Sequence, residues 1–295
     1  MATKLYDVLI IGGGPAGLSM ATALARQLYT ALVLDSGVYR NAPTKHMHNV
    51  IGFDHTDPAA LRAKAREDLE KRYSSIEFKS ATVETVKKLD SGIFEAVDSK
   101  GTVYQGKRLG LGTGVRDVLE EQPEGYAECW GRGIFHCLYC HEMVSHVAPM
   151  AKRLAKSVTV YTNGNESLLE GVRAKLHSSK INYDNRTIKS FQLVDNGPAV
   201  KITFEDGTSK VEGFVASHPR VVQAPLVEQL GLEMMPSGEI KVEPPFNETS
   251  VKGCFAAGDA ATMLKSVLLA MSMGAFAGTG AASQLQFELD AKDEL

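Results

Sequence analysis

The chain has 295 residues, and its 35 acidic and 32 basic side chains give a formal net charge of −3. This length allows two domains with a core each, and the composition is that of a globular protein. Charges of both signs are spread along the chain and no apolar run reaches the length of a membrane span, so neither nucleic acid nor a membrane is an expected partner.

The first stretch predicts a nucleotide-binding unit of strand, helix and strand, at residues 7–11, 18–28 and 31–35. A continuous apolar run such as the first is typical of a buried parallel strand. Gly12, Gly14 and Gly17 fill the glycine positions of G-x-G-x-x-G, which permit a tight turn and let backbone amides approach a pyrophosphate. Asp35 ends the second strand 18 residues after Gly17, where a carboxylate can bind ribose hydroxyls. Together these features predict a Rossmann-like dinucleotide site.

Two later segments are candidates to extend this site. The first is a loop without periodicity that contains Arg40, Asn41 and residues 46–52, and it could contact the bound dinucleotide. The alternative interpretation is a polar loop that contacts no ligand. An apolar strand from residue 109 runs into Gly112-Thr113-Gly114. This second glycine turn would face the dinucleotide if its strand joins the first sheet.

A strand at 253–257 ends at Gly258 and Asp259, whose carboxylate can bind the dinucleotide. The Ala- and Gly-rich segment 260–286 predicts a long helix, whose small residues close packing explains. The rest of the pattern predicts a helix at 58–73, strands at 76–79 and 82–86, a hairpin of 92–97 with 102–105, a helix at 170–177, and strands at 189–193 and 200–204.

Cys137 and Cys140 form a C-x-x-C pair, which His136 and His141 flank. No second cysteine pair and no histidine pair stands at zinc-finger spacing, so no metal site is predicted. Two thiols at this spacing can pass an electron pair as dithiol and disulfide, which predicts a redox centre. An imidazole can serve there as the base that deprotonates a thiol, or it can only lower a thiol pKa or cap a turn.

The order of these motifs resembles that of the thioredoxin reductase-like flavoproteins, over most of the chain. The segments that carry the resemblance are 12–17, 112–114, 137–140 and 256–260. Segments 46–48, 112–117, 130–137 and 161–164 look like the dithiol oxidase branch of biosynthetic clusters, typified by gliotoxin and holomycin oxidases. The resemblance implies an α/β fold with two parts. The first is a Rossmann-like FAD-binding domain of the three-layer ββα type, residues 1–114 and 220–295; the second is a reduced nucleotide-domain-like insertion, residues 115–219, with the C-x-x-C.

The resemblance implies FAD as the cofactor and a homodimer as the assembly. The cofactor-binding residues it implies are Gly12, Gly13, Gly14, Pro15, Ala16, Gly17, Asp35, Ser36, Arg40, Asn41, His48, Asn49, Val83, Gly112, Thr113, Gly114, Gly258, Asp259, Lys265, Ser266 and Val267. The catalytic residues it implies are Cys137, Cys140, His141 and His136. By family analogy Cys137 meets the substrate and Cys140 lies nearer the flavin, while His141 is the first choice for the base and His136 the second.

The 17 residues between Cys140 and the apolar strand at 158–161 contain no glycine. A second nucleotide-binding unit would need a strand, a phosphate loop and a helix there, and the whole βαβ unit takes about thirty residues. Residues 150–155 can form the helix, but the strand and loop before it have no room. Segment 162–167 also lacks an arginine for a 2′-phosphate. The sequence therefore predicts that the NADPH fingerprint is absent.

With the resemblance, this deletion predicts an FAD-dependent oxidase that converts a small-molecule dithiol to its disulfide through the Cys137–Cys140 relay, with O2 reduced to H2O2. The expected dithiol is a secondary metabolite such as an epidithiodiketopiperazine precursor. Two alternatives stay open: a thioredoxin-reductase-like enzyme that uses NADPH or another donor, and a flavin-bound module that holds a dithiol without turnover.

Four cysteines are too few for the disulfide framework of a secreted protein, and Cys129 and Cys254 are predicted to be buried small apolar residues. The N-terminal segment shows no signal-peptide pattern, so a cytoplasmic location is expected. The final residues, Lys292-Asp293-Glu294-Leu295, match the retention signal of the endoplasmic reticulum, which is the alternative location. Without a signal peptide we interpret this match as a coincidence.

Overall fold

The computed structural model describes residues 4–136 and 144–294. The chain divides into two units, of which the first comprises the chain up to Arg116 and from Val222 onward, and the second comprises Asp117–Val221. The sequence predicts these boundaries after residues 114 and 219. Among the described residues, none of the helices has both the length and the apolar character that crossing a membrane requires.

The first unit is a three-layer α/β domain. Its strands are β1 Leu5–Ile11, β2 Ala31–Asp35, β3 Ile76–Ser80, β4 Val83–Lys88, β5 Phe94–Asp98, β6 Val103–Leu111 and β16 Cys254–Ala256, and short strands β7 Val115–Asp117 and β15 Val221–Gln223 lie where the chain passes between the units. Its helices are α1 Pro15–Arg26, α2 Pro58–Arg72, α6 Leu226–Gln229 and α7 Val267–Asp290. The main sheet has the strand order β3-β2-β1-β6-β5-β4, and β16 also pairs with β6.

The centre of this sheet is parallel, and it brings the carboxyl ends of four strands together. Ile11 at the end of β1 is paired with Leu34 of β2 on one side and with Leu111 of β6 on the other. Ala256 of β16 is also paired with Leu111. The strand that precedes Gly112 therefore joins the first sheet, as the site hypothesis requires. Because ligands bind at the carboxyl ends of parallel strands, this edge is where a dinucleotide is expected.

The predicted hairpin of 92–97 with 102–105 is confirmed by the antiparallel pairing of β5 with β6, but its second strand does not end at residue 105. Residues 103–111 form one continuous strand, β6, which the sequence pattern divides in two. The amino-terminal half of β6 pairs antiparallel with β5, whereas its carboxyl-terminal half pairs in parallel with β16. The strand is shared by two sheet segments, and this double role cannot be recognised from local hydrophobicity.

Helices α1 and α7 pack together on one face of the sheet. Gly274 and Gly278 of α7 allow the contact, because a Cβ atom at these positions would lie 2.1 Å from the Ala16 carbonyl oxygen and 2.6 Å from that of Met20. Close packing thus accounts for the small residues of this segment. The predicted start of the helix at residue 260 is wrong, because Ser266 accepts a hydrogen bond from the Leu269 amide and caps the helix there.

Asp7 joins three parallel strands at the edge of the sheet opposite the glycine loop. Its carboxylate accepts hydrogen bonds from the backbone amide and the hydroxyl of Thr30, at 2.9 and 2.8 Å, and from Lys107 Nζ at 2.8 Å. Burial alone would raise the pKa of Asp7, but these donors outweigh burial and lower it. Asp7 is therefore ionised in the folded protein at neutral pH.

We expect Asp7→Asn to lower the free energy of unfolding at pH 7 by about 1.5 kcal/mol, since an amide cannot accept all of these charge-assisted bonds. Because the folded pKa lies below that of the unfolded chain, this contribution is complete above about pH 5 and is lost as pH falls through the folded pKa. Urea unfolding of both proteins at pH 7 and near pH 3 measures the effect. An equal difference at both values would contradict the assignment.

The second unit consists of short helices and three small sheets. Its helices are α3 Tyr126–Cys129, α4 Val144–Ala151 and α5 Glu166–Arg173. Its strands are β8 Ile134–Phe135, β9 Val158–Tyr161, β10 Ile181–Asp184, β11 Ile188–Leu193, β12 Val200–Phe204, β13 Ser209–Glu212 and β14 Val215–Ala216. Strands β9 and β10 pair in parallel, as do β8 and β14, and β11-β12-β13 form an antiparallel sheet.

Two helices of this unit begin before the predicted positions. Helix α5 begins at Glu166, not at 170, because the Asn165 side chain accepts a hydrogen bond from the Leu168 amide and caps it. Helix α4 covers Val144–Ala151, whereas the sequence suggests 150–155. The proline in its last turn, Pro149, does not prevent the helix from forming.

Candidate functional site

The glycine loop between β1 and α1 has the geometry of a pyrophosphate cradle. Gly12 has φ +109°, and a Cβ on Gly17 would lie 1.9 Å from the Gly12 carbonyl oxygen. Gly14 caps α1 without a side-chain hydrogen bond, Pro15 follows it, and no acidic residue lies in the first turn. A Cβ on Gly14 would meet no protein atom within 4 Å. The backbone amides of the first turn of α1 are therefore available to bind an anion. Among the glycines of this loop, only Gly14 has open space beside it, in which the anion could lie.

Asp35 lies directly beside the glycine loop. A Cβ on Gly13 would be 2.2 Å from Asp35 Oδ2, so glycine is required for this approach. Asp35 accepts hydrogen bonds from the Gly37 amide at 3.0 Å and from the Tyr39 hydroxyl at 2.5 Å. Burial, with Asp35 next, raises the pKa of Tyr39 to about 12, so Tyr39 stays a donor at neutral pH. The carboxylate is oriented by these donors and can bind ribose hydroxyls.

A cavity of about 230 Å³ opens beside Asp35. The guanidinium of Arg62 lies 3.8 Å from the ring centroid of Tyr39, and that of Arg66 lies 4.6 Å from the ring of Phe78. These four side chains line the cavity with Gly13 and Asp35. Sequence reasoning missed them, although two arginines four residues apart on a helix share one face. The aromatic and cationic walls suit a nucleoside.

The other end of the predicted site is formed by the residues that directly follow β6 and β16. Thr113 Oγ1 is buried and has no hydrogen-bond partner in the described part of the chain. Asp259 pairs with Arg40, with 2.9 Å between Arg40 Nη1 and Asp259 Oδ2, and both side chains are mostly buried. Gly258 has φ +78° and brings this turn to Ala16 at the start of α1. The orphaned hydroxyl and the glycine cradle both fit a bound dinucleotide.

Three of the predicted cofactor residues also have contacts within the protein. Lys265 is buried, and its ammonium donates to the backbone oxygens of Asp259 and Thr262 at 3.1 and 2.8 Å, so it stabilises the turn that carries Asp259. Ser266 is the cap of α7. Val267 packs against Met47 and Val50, which places the loop at 46–52 beside the start of α7.

The remaining predicted contacts have hydrogen bonds or strand positions near Asp35 and Arg62. Asn41 accepts a hydrogen bond from Arg62 at 3.0 Å, and Ser36 accepts one from the Val38 amide at 3.3 Å. Val83 begins β4, which is held near Asp35 because the Ala81 amide donates to the Asp35 carbonyl.

His48 and Asn49 are exposed. His48 lies with Asp54 and His55 in a group whose possible ligand atoms are within 4.8 Å of one another, and all three side chains are exposed. The predicted contacts of His48 and Asn49 with the cofactor stay predictions.

The redox segment belongs to the second unit. Cys137, Cys140 and His141 lie outside the described residues. His136 ends the described part directly after β8, and its ring centroid lies 6.2 Å from that of Trp130 and 5.1 Å from that of His218. His218 lies just after β14, and His136 lies just after β8. The pairing of these two strands continues past β14, because the Ser217 amide donates to the Phe135 carbonyl at 3.0 Å.

His218 is a residue that sequence reasoning missed. The parallel pairing of β8 and β14 puts two imidazoles at the same edge, next to the segment that contains the cysteine pair. The sequence contains a short apolar run with a histidine after it at 134–136 and again at 214–218. This repeated pattern is the signal from which His218 could have been predicted. Cys129 and Cys254 are buried, as predicted, and burial raises the pKa of both thiols, that of Cys254 to about 12.

Comparison with known proteins agrees with this geometry. Residues 6–274 match the family model of the pyridine nucleotide-disulphide oxidoreductases. The chain is 41% identical to thioredoxin reductase aclD of Aspergillus oryzae, over 99% of this chain and 100% of the relative. It is 42% identical to thioredoxin reductase tcpT of Claviceps purpurea, over 99% and 98% of the two chains. A crystal structure of an oxidoreductase from Agrobacterium tumefaciens superimposes with a TM-score of 0.82 at 30% identity, covering 96% of this chain and 99% of the other.

These matches and the dinucleotide cradle establish FAD as the cofactor and disulfide oxidoreduction as the class of chemistry. The chain belongs to the pyridine nucleotide-disulphide oxidoreductase family and is a thioredoxin reductase-like flavoprotein.

Proposed function

We propose that this protein is an FAD-dependent oxidase that closes a disulfide in a small-molecule dithiol and passes the electrons to O2. The observation that carries the proposal is the reduced second unit. Helix α4 begins at Val144, four residues after Cys140, and the glycine-free stretch continues to β9. This arrangement leaves no place for the strand and glycine loop with which a second nucleotide site begins.

The loop after β9 gives further support, because its polar groups are already bound within the unit. Asn163 Oδ1 accepts from the Ile188 amide at 2.7 Å, and Asn165 Oδ1 accepts from the Leu168 amide at 2.9 Å. Arg186, the arginine that follows β10, donates to Asp184 at 2.9 Å. Since an NADPH site needs free amides for a pyrophosphate and an arginine for the 2′-phosphate, this loop does not suit that cofactor.

The proposed reaction balances for two electrons and two protons. One substrate thiolate attacks the Cys137–Cys140 disulfide, and a mixed disulfide forms as one cysteine leaves as a thiolate. The second substrate thiolate then displaces the attached cysteine, so the product leaves as a disulfide and the cysteine pair is reduced. FAD, when bound, supplies the two-electron acceptor for this pair, and O2 takes the electrons and two protons as H2O2.

Deprotonation of the substrate is the task for the imidazoles. A thiol of ordinary pKa, about 8.5, is mostly protonated near neutral pH, and an imidazole of pKa about 6.5 can accept its proton. His141 and His136 flank the cysteine pair in sequence, and the structure adds His218 beside His136. We therefore propose an imidazole cluster, rather than one histidine, as the local base.

The relatives' names favour a rival function, since they are called thioredoxin reductases. One set of measurements on the purified yellow protein separates the candidates. With reduced gliotoxin as the dithiol, we expect O2 consumption and equal amounts of disulfide and H2O2, and without O2 we expect bleaching of the flavin by the dithiol. Rapid bleaching by NADPH alone would refute the oxidase and favour the reductase. A flavin spectrum that neither compound changes would favour a binding module without turnover.

A further inference from the structure

Two imidazoles and a carboxylate lie close together on the loop that connects β2 with α2. One possible ligand atom from each of His48, Asp54 and His55 lies within 4.8 Å of the others. His48 Nδ1 is 3.7 Å from Asp54 Oδ1, and His55 Nε2 is 3.7 Å from Asp54 Oδ2. Both distances are too long for hydrogen bonds, so the carboxylate does not satisfy these ring nitrogens. The three side chains therefore offer possible ligand atoms around one point.

The backbone of the loop holds the two histidines on facing arms. The Met47 amide donates to the Thr56 carbonyl, and the His55 amide donates to the Met47 carbonyl, both at 2.9 Å. His48 and His55 are the residues directly inside this bridge between Met47 and Thr56. Their rings meet edge to face, with centroids 4.5 Å apart. The pairing of the two arms thus brings the imidazoles together.

Apolar side chains anchor the inner side of the same loop. Met47 is 6% exposed and Val50 is 3% exposed, and they pack with Leu61 of α2 and Val267 of α7. Successive side chains of an extended segment point to opposite sides, so the burial of Met47 directs His48 toward solvent. Buried anchors restrict the loop, which lowers the entropic cost of holding three ligands around one ion.

The carboxylate of Asp54 is oriented from within the loop. Its Oδ1 accepts a hydrogen bond from the Asn49 amide at 2.9 Å. Each carboxylate oxygen faces a different histidine, so the side chain lies between the two imidazoles. Hydrogen bonds of this kind orient ligating carboxylates in metal sites.

The chemistry and the spacing of these groups suit a transition-metal ion. Imidazole nitrogen binds Zn²⁺ and similar ions, whereas Mg²⁺ and Ca²⁺ take oxygen ligands. Zn²⁺ lies about 2.0–2.1 Å from nitrogen and oxygen ligands, which puts the ligand atoms of a tetrahedral site roughly 3.3 Å apart. The 3.7 Å separations are close to this value, and small rotations of exposed side chains are enough to close the difference.

We infer that His48, Asp54 and His55 form a binding site for one divalent transition-metal ion of the Zn²⁺ type, with water as the fourth ligand. The bound ion joins the two arms of the loop between β2 and α2 and stabilises the folded protein. The inference does not depend on the direction of electron transfer, because ion binding at this loop requires no turnover.

Calorimetric titration of the holoenzyme with ZnCl2, in the absence of a reductant, should show an ion that MgCl2 does not replace. His48→Asn and His55→Asn each remove one ligand and should weaken this binding at least about tenfold. Asparagine is chosen because it tolerates the left-handed conformation of His55, which has φ +59°. His177→Asn removes an exposed imidazole of the second unit and should leave the affinity within about twofold. Circular dichroism verifies that the variants fold.

Asp54→Asn tests the carboxylate separately from the loop. The amide oxygen can still accept from the Asn49 amide, so the melting temperature without metal should stay near that of the wild type. Zn²⁺ binding should nevertheless weaken at least about fivefold, because the charge is lost. Zn²⁺ should raise the melting temperature of the wild type and of His177→Asn, and it should leave that of His48→Asn unchanged.

The cysteine pair needs its own control, since thiolates also bind Zn²⁺. The double variant Cys137→Ser/Cys140→Ser should bind the ion as the wild type does. Loss of binding in this variant would assign the ion to the cysteines and overturn the inference. No binding to the wild type, or equal binding by the wild type and both loop histidine variants, would also overturn it.

Discussion

Replacement of Cys137 or Cys140 by serine is expected to reduce dithiol-dependent O2 consumption by at least about 100-fold while FAD remains bound. A serine hydroxyl cannot form the disulfide or the mixed disulfide on which the proposed relay depends. Both positions lie in the second unit's segment of the chain, whereas the glycine cradle and Asp35 belong to the first unit. The flavin content of each variant, measured from its visible absorbance, should therefore equal that of the wild type.

Cys129→Ala is the matched control for the loss of a thiol. Cys129 is buried in the core of the second unit with Tyr126 and Trp130, and burial raises its pKa, so it is a poor nucleophile. The control should cost some stability and leave turnover of the folded protein unchanged. Full activity in either the Cys137 or the Cys140 variant would refute the relay.

Gly14→Ala is expected to reduce the affinity for FAD at least about 100-fold without unfolding the protein. Gly14 has φ −76°, which alanine adopts freely, and a Cβ there meets no protein atom within 4 Å. The added methyl group would instead occupy the space into which the pyrophosphate must approach. The ratio of flavin to protein absorbance after purification, with the melting temperature of the flavin-free protein, measures the two effects separately.

Two further glycine variants make this test specific. Gly171→Ala, in α5, also adds a methyl group that meets no protein atom within 4 Å, and it should retain full flavin. Gly17→Ala places a Cβ 1.9 Å from the Gly12 carbonyl oxygen and should lose both flavin and stability. Wild-type flavin content in Gly14→Ala would show that the pyrophosphate does not lie over this loop.

Much of the first unit could be predicted from local sequence. Buried parallel strands are continuous apolar runs, and the glycines of the first loop are required by contacts only a few residues away in sequence, such as Gly17 against Gly12. Strand β2 has the predicted bounds, 31–35, and Asp35 lies beside the loop as its spacing indicates. The glycine-free stretch before β9 likewise needs no structure to be recognised.

Other features depend on residues far apart in the chain. The length of β6 follows from its three partners, β1, β5 and β16, and the start of α7 follows from the turn that Lys265 holds. Arg62 and Arg66 reach the nucleoside cavity because α2 packs beside α1 and β3, which no motif records.

The sequence by itself determined the nucleotide-binding loop, the cysteine pair and the short glycine-free stretch behind that pair, because each depends on residues close together in the chain. Only the tertiary structure decided how the second unit is arranged: a cavity lined in part by β9 and β14, a buried Tyr126 side chain, and His218 beside His136. Strands that are distant in sequence create these features, because backbone pairing and packing between them select which side chains meet.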